Sequence, residues 1–127
     1  MSQTALNFLL AVGGGAGAML RFLLGLALMK KFPSPRIPIA MLIVNILGSF
    51  GLGLLTGNLD SKNLSNDALF VVLGFGFFGA FTTFSTFSVE AVQLVMDKKY
   101  QNALVYLSFS IFGSITGFLF GHLIKIL

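Results

Sequence analysis

The sequence contains no cysteine and no tryptophan, and Asp, Glu, Lys and Arg together make up only 9% of its 127 residues. Without cysteine the chain can form neither a disulfide framework nor a thiolate metal site. A soluble domain carries roughly 25% charged residues, whereas this chain is 56% hydrophobic. The composition therefore excludes a water-soluble fold and predicts an integral membrane protein.

Four apolar segments are each long enough to cross a bilayer, which takes about 20 residues. The sequence predicts a single all-α membrane domain, 1–127, with approximate spans 5–29, 37–57, 67–96 and 102–127. The first span lacks the basic flank and the small-residue cleavage site of a signal peptide, so we expect a retained helix. No length remains for a soluble catalytic domain.

The net charge of +4 comes mostly from the ends of these segments. Basic and aromatic residues do not alternate as they do in RNA-binding proteins, so nucleic acid is not expected as a partner. The loops on one side carry Lys30, Lys31, Arg36, Lys98 and Lys99, and the other side carries Lys62, Lys125 and the terminal amine. The positive-inside rule then favours both termini outside the cell, a bias that one or two charges would reverse.

The third segment contains ten residues, Gly79 to Ser88, with five hydroxyl side chains and three phenyl rings. A simple anchor would use aliphatic residues there, because hydroxyls in lipid must be hydrogen-bonded. Gly74 and Gly76 precede this run and lower the helix propensity. A helix broken within 79–83 and a continuous helix with a glycine packing face both agree with the pattern.

Polar side chains recur at helical spacing on three of the segments. They are Tyr106, Ser110 and Ser114 on the fourth, Asn45 and Ser49 on the second, and Thr83, Thr86 or Phe87, and Glu90 on the third. Such stripes either line a polar pathway or form hydrogen bonds between helices. Because four short helices can hardly enclose an aqueous path, a pathway would require an oligomer.

Two ionisable residues, Arg21 and Glu90, lie inside the predicted spans. Arg21 could extend to the membrane interface or attract anions at a pore mouth. Glu90 would repel an anion if ionised, so an anion pore requires it to be neutral or hydrogen-bonded. The remaining polar groups are mostly uncharged donors, and Phe84 and Phe87 add the electropositive edges of their rings. This inventory favours an anion, and fluoride fits it better than chloride, although composition alone does not choose between them.

The run from Gly79 to Ser88, continued by Val89 and Glu90, resembles the GGLTTFSTFSxE signature of the Fluc fluoride channels of bacteria and archaea. Further matches are Gly17-Ala18-Met19-Leu20-Arg21-Phe22, Val44-Asn45 and Gly113-Ser114. The resemblance covers the whole chain, including its length and its number of segments.

The resemblance implies a passive fluoride channel in the plasma or inner membrane that reduces fluoride toxicity. It implies an antiparallel, dual-topology homodimer with two pores and with the third helix broken in mid-membrane. A structural sodium ion, not transported, is expected on backbone carbonyls of Gly79 and Thr82 from both subunits. The implied fluoride-pore residues are Asn45, Phe84, Phe87, Tyr106, Ser110 and Ser114, with Arg21 near the vestibule and Glu90 and Thr83 beside the pore.

Two positions depart from the family pattern: Met41 and Phe118 stand where threonine is common, which leaves the outer polar track open. The charge bias keeps a second assembly open, a heterodimer with a paralogue of opposite orientation. Two other classes remain. A proton-coupled small-ion or multidrug transporter could act through Glu90, although the first span has no carboxylate. A non-transporting membrane scaffold could use the small-residue spacings that let helices approach closely, Gly13/Gly17, Gly53/Gly57 and Gly113/Gly117/Gly121. An enzyme is not expected, because no nucleophile–base pair, metal-ligand cluster or phosphate loop is present.

Overall fold

The computed structural model describes residues 2–32, 37–58 and 68–126, and within these ranges the chain contains helices and no strand. The helices are α1 (Gln3–Lys31), α2 (Ile39–Asn58), α3 (68–81), α4 (Phe84–Met96) and α5 (Tyr100–Leu123). Four stretches are long and apolar enough to cross a membrane, the third being Ala68–Met96, which joins α3 and α4. The predicted all-α architecture with four spanning helices is confirmed. The predicted span limits at 67 and 127, and the topology residues Arg36 and Lys62, lie outside the described residues.

The first part of the third span, α3, is wound mostly as a π-helix, from Val71 to Phe78. In this wider winding the backbone N–H bonds five residues back, and short π-helical stretches often occur at functional sites. The N–H of Gly79 accordingly donates to the carbonyl of Gly74 and also to that of Gly76. Three residues of α-helix, Gly79–Phe81, then complete α3.

The helices pack in two close pairs, α1 against α3 and α2 against α5. A Cβ built on Gly17 would lie 2.1 Å from the Phe77 carbonyl oxygen, and one on Gly53 would lie 2.1 Å from that of Phe118. Glycine is required at both positions because the two backbones touch there. The small-residue spacings seen in the sequence therefore serve helix packing within one subunit.

The C-terminal end of α2 is capped by polar groups from the C-terminal ends of both α2 and α5. Thr56 donates to the Gly53 carbonyl at 3.1 Å, and Asn58 donates to the carbonyls of Leu54 and Ile124 at 2.8 and 2.9 Å. Lys125 donates to the carbonyl of Gly57. The bond to Gly57 satisfies a carbonyl that the helix end leaves free, and the bonds of Asn58 to Ile124 and of Lys125 to Gly57 anchor the C-terminal residues across α2.

Few side chains are buried within a single chain. The buried apolar residues of the described part are Val44, Phe81, Ala91, Leu94, Ala103 and Tyr106, whereas large apolar side chains are exposed along every spanning helix. A soluble monomer rarely exposes so much apolar surface to water. The surface therefore indicates contact with lipid or with another subunit.

Candidate functional site

A groove of about 540 Å³ lies between α2, the third span and α5, and we call it groove 1. It is lined by eight of the eleven residues that the resemblance assigns to the site: Asn45, Gly79, Thr82, Thr83, Phe84, Phe87, Ser110 and Ser114. Three separate helices therefore deliver the predicted side chains to one place. The remaining three, Arg21, Glu90 and Tyr106, lie outside the lining of groove 1.

Helical geometry is interrupted in the wall of groove 1. Thr82 (φ −82°, ψ 156°) and Thr83 (φ −146°, ψ 118°) both have extended backbone, so α3 ends at Phe81 and α4 begins at Phe84. The Thr83 hydroxyl accepts the N–H of Thr86 at 3.3 Å and caps the start of α4. Threonine suits this position because its hydroxyl replaces the carbonyl that the interruption removes.

Asn45 fixes the interruption from the neighbouring helix. Its Oδ1 accepts the Thr83 N–H at 3.1 Å, and its Nδ2 donates to the Thr83 carbonyl at 3.5 Å. One amide thus pairs with both polar groups of a single extended residue. Asn45, which also lines groove 1, therefore acts first on the backbone.

The same hydrogen bonds leave the carbonyls of Gly79 and Thr82 without their helical donors. In a continuous helix these carbonyls would accept the N–H groups four residues later, those of Thr83 and Thr86. Instead, the Thr83 N–H donates to Asn45 and the Thr86 N–H donates to the Thr83 hydroxyl. Both residues line groove 1.

Two phenyl rings of α4 face this groove and connect it to the interior. The ring centroids of Phe84 and Phe87 are 6.1 Å apart, and that of Phe87 is 5.3 Å from the Tyr106 ring with the planes tilted by 42°. Phe84 is 80% exposed in the single chain, whereas Tyr106 is completely buried. The rings therefore run from an open surface to the centre of the helix bundle.

Three buried polar atoms of the described residues have no hydrogen-bond partner: Ser110 Oγ, Tyr106 OH and Glu90 Oε2. Buried polar groups are nearly always paired, so each exception requires an explanation. The Tyr106 and Glu90 side chains lie near enough to interact electrostatically, but the geometry between Tyr106 OH and Glu90 Oε2 falls short of a formed hydrogen bond. The three atoms follow the course of the rings, from Ser110 in the wall of groove 1 to Glu90 at a second groove.

This second groove, groove 2, has a volume of about 450 Å³ and lies between the end of α1, the start of α2 and α4. Its wall is apolar except for Glu90 and Lys99. Met41, one of the two departures from the family pattern, also lines it. The side chains of Phe87 and Tyr106 thus stand between two separate grooves.

Arg21 is placed against the interruption rather than in either groove. Its Nε donates to the carbonyl of Ala80 at 3.2 Å, between α1 and the last turn of α3. The guanidinium thereby satisfies a carbonyl near the end of a helix, where a positive charge is favourable. The bond ties α1 to the segment that carries Gly79 and Thr82.

Sequence reasoning did not assign a role to three other residues of groove 1, Gly48, Phe75 and Phe78. A Cβ on Gly48 would lie 2.3 Å from the Thr82 methyl group, so this glycine makes room for the interruption. The two phenylalanines belong to the π-helical stretch, whose winding no spacing rule for an α-helix predicts.

Comparison of the sequence with known proteins identifies the family of this chain. The family model described as "CrcB-like protein, Camphor Resistance (CrcB)" matches residues 8–122. The chain belongs to the CrcB family. It is 49% identical over 116 residues to "Fluoride-specific ion channel FluC 1" of Halalkalibacterium halodurans, covering 89% of this chain and 91% of that protein.

Two further CrcB relatives carry similar names. Identity is 41% over 118 residues to "Fluoride-specific ion channel FluC 2" of Clostridium acetobutylicum, covering 93% of this chain and 96% of that one. It is 43% over 98 residues to "Fluoride-specific ion channel FluC 1" of Geobacillus kaustophilus, covering 77% and 78%. The resemblance noted in the sequence is therefore confirmed, and the chain is a multi-pass membrane protein.

Proposed function

We propose that this CrcB family member is a fluoride channel of the plasma membrane, not an enzyme, that lets fluoride leave the cytoplasm passively. Relatives named as fluoride-specific ion channels cover most of the chain and support this ion. The observation that carries the proposal is the row of unpartnered buried polar atoms along the rings between the two grooves. A passing anion accepts hydrogen bonds from the hydroxyls of Ser110 and Tyr106, and from Glu90 only while its carboxyl group is protonated.

The geometry suits an anion that must lose its water. The hydroxyls of Ser110 and Tyr106 donate, and the edges of Phe84 and Phe87 are electropositive. A small anion with dense charge needs such close donors to replace its hydration shell, and several modest contacts in series let it leave again. Glu90 lies at the end of this row, where it must be neutral or hydrogen-bonded while an anion passes.

We also propose that two copies pair in antiparallel orientation, with the third helix broken in mid-membrane at Thr82 and Thr83. The open side of groove 1 and the 80% exposed ring of Phe84 support a partner that completes the pore wall. A second subunit covering this face would enclose the anion path that one chain leaves open.

The orientation can be tested with one engineered cysteine, because the natural chain has none. A cysteine in place of exposed Gln101 should react half from each side of the membrane if the topology is dual. Complete reaction from one side would instead favour the heterodimer with a paralogue. The mass of the chain purified alone then shows whether the homodimer forms.

A structural sodium ion is the cofactor that fits the interruption. Among the described residues no group of three His, Cys, Asp or Glu side chains could hold a metal ion. The carbonyl oxygens of Gly79 and Thr82, whose helical donors bond elsewhere, are hard ligands at the C-terminal end of α3, where a cation is favoured. In a dimer, the two copies would together supply these oxygens; the ion would hold the subunits and remain in place.

Fluoride efflux from proteoliposomes tests the proposed function. Wild-type protein should release trapped fluoride rapidly and trapped chloride negligibly. The rate should not depend on an imposed pH gradient, since a channel couples no proton; such dependence would favour the proton-coupled transporter. No fluoride release from a reconstituted dimer of verified mass would contradict the channel and leave the scaffold standing.

The substitution Asn45→Asp should reduce fluoride efflux by about tenfold or more, because a carboxylate cannot donate to the Thr83 carbonyl and adds a negative charge beside the path. Efflux is measured together with the thermal unfolding midpoint. Asn102→Asp, on α5 and lining neither groove, is the matched control and should conduct normally. Equal rates in the two variants would contradict a role of Asn45 in the path.

A further inference from the structure

Groove 2 contains two opposite charges that do not meet. Glu90 and Lys99 both line it, and the other lining residues are apolar. Among the described residues Glu90 forms no ion pair, and its Oε2 has no hydrogen-bond partner. The first turn of α2, which also borders the groove, contains no acidic residue. Among the described residues, Lys99 is therefore the cation, and Glu90 the carboxylate, of an otherwise apolar cleft.

Backbone hydrogen bonds hold Lys99 at the groove, and among the described residues its ammonium group forms no ion pair. Its N–H donates to the Leu94 carbonyl at 2.9 Å, and its carbonyl accepts the Ala103 N–H at 2.9 Å. Lys98 has a positive φ of 61°, which closes the turn between α4 and α5. The nearby carboxylate of Asp97 accepts from Gln93 at 3.1 Å instead of pairing with a lysine.

A chain of contacting side chains links groove 2 to groove 1. Glu90 interacts with Tyr106, the Tyr106 ring packs on Phe87 at 5.3 Å, and Phe87 lines groove 1. A carboxylate in the wall also argues against a lipid tail as the occupant, because hydrocarbon offers no hydrogen bond to it. Water in groove 2 would satisfy Glu90 and bring ions to the same atom row.

We propose that groove 2 is the second mouth of the anion path and that Lys99 concentrates fluoride there, offsetting the repulsion from Glu90. This inference rests on the proposed channel function. A single exposed charge at a narrow mouth raises the local concentration of counter-ions, and salt screens the effect. Lys99 therefore sets the rate of entry at this mouth and does not set the choice of anion.

The test compares Lys99→Gln with Lys30→Gln, which removes the same charge from the same end of the molecule but from a residue outside the groove lining. Efflux is measured at about 10 mM salt, balanced with sorbitol, and at about 0.5 M salt, where the Debye length falls from about 30 Å to a few Å. Lys99→Gln should slow fluoride efflux about two- to fourfold at low salt and have almost no effect at high salt. Lys30→Gln should slow efflux less than Lys99→Gln at low salt and match the wild type at high salt.

Restoring or reversing the charge at position 99 provides a second test. The Lys99→Cys variant has a single cysteine, because the natural chain has none. A cationic methanethiosulfonate reagent should therefore restore the low-salt efflux rate, and an anionic one should lower it further. Met41→Cys should react with the anionic reagent if groove 2 holds water, and protection of this cysteine would indicate a lipid tail.

The outcomes separate the two proposals. If wild-type protein releases no fluoride, the channel function itself fails. If wild-type protein conducts but Lys99→Gln and Lys30→Gln behave alike, or the effect of Lys99→Gln is the same at both salt concentrations, the assignment of Lys99 is overturned while the channel stands. A Lys99→Arg variant with the wild-type rate would show that the charge is the property required.

Discussion

Replacing Phe87 by isoleucine should stop most fluoride efflux while the protein still folds. The substitution keeps an apolar side chain of similar size but removes the ring edge that faces groove 1 and the contact with Tyr106. If that edge stands in for one hydrogen bond to a charged group, the anion loses about 1.5–3 kcal/mol of stabilisation where it passes Phe87. The rate should then fall about 10- to 150-fold, as measured with a fluoride electrode on proteoliposomes.

Phe84→Ile should produce a loss of the same kind, because this ring lines the same groove 6.1 Å from Phe87. Phe109→Ile is the matched control: Phe109 is exposed, lies on α5 and lines neither groove. This control should retain the wild-type rate. Normal efflux through Phe87→Ile would show that the ring edges are not the anion contacts and that hydroxyl groups alone carry the ion.

The second large effect is expected on stability, at the contact between α1 and α3. Gly17→Ala places a methyl group 2.1 Å from the Phe77 carbonyl oxygen, well inside contact distance. Backbone cannot move aside as a flexible side chain can, so the two helices must separate. We expect a loss of about 2–4 kcal/mol, seen as a lower thermal unfolding midpoint of the protein in detergent.

Gly15→Ala is the control for this substitution, since nothing lies within 4 Å of a Cβ at that position of the same helix. It should be neutral, or stabilising by up to about 1 kcal/mol through the helix propensity of alanine. An unchanged midpoint for Gly17→Ala would contradict the close α1–α3 contact. A strong loss for Gly15→Ala would instead show that a partner subunit covers this face of α1.

The sequence predicted the polar lining of the candidate site better than it predicted how the lining is held. Thr83, Ser110 and Ser114 could be selected because hydroxyls at helical spacing in an apolar segment are rare without a purpose. All three line groove 1. The reciprocal bonding of Asn45 with the Thr83 backbone could not be selected, because it joins residues 38 positions apart. Only packing brings these two together.

Tyr106 and Glu90 show the same limit from another direction. The spacing places Tyr106 on a stripe with Ser110, and it cannot tell a buried hydroxyl with a partner from one without. The missing partners appear only when α4 and α5 are packed and every neighbouring donor and acceptor is known. Lys99 illustrates a residue that the sequence treats as one of several loop charges, although its position at groove 2 distinguishes it.

By itself, the sequence determined that this protein is helical, lies in a membrane and crosses it four times, because hydrophobic length and scarcity of charge are properties of the chain alone. It also identified the residues of the Gly79 to Ser88 run as the unusual ones. The tertiary structure alone placed the extended backbone of Thr82 and Thr83 in the wall of groove 1, bonded it to Asn45, and packed Phe87 against Tyr106. The physical reason is that each of these depends on which donor reaches which acceptor across helices, and that choice is made by packing.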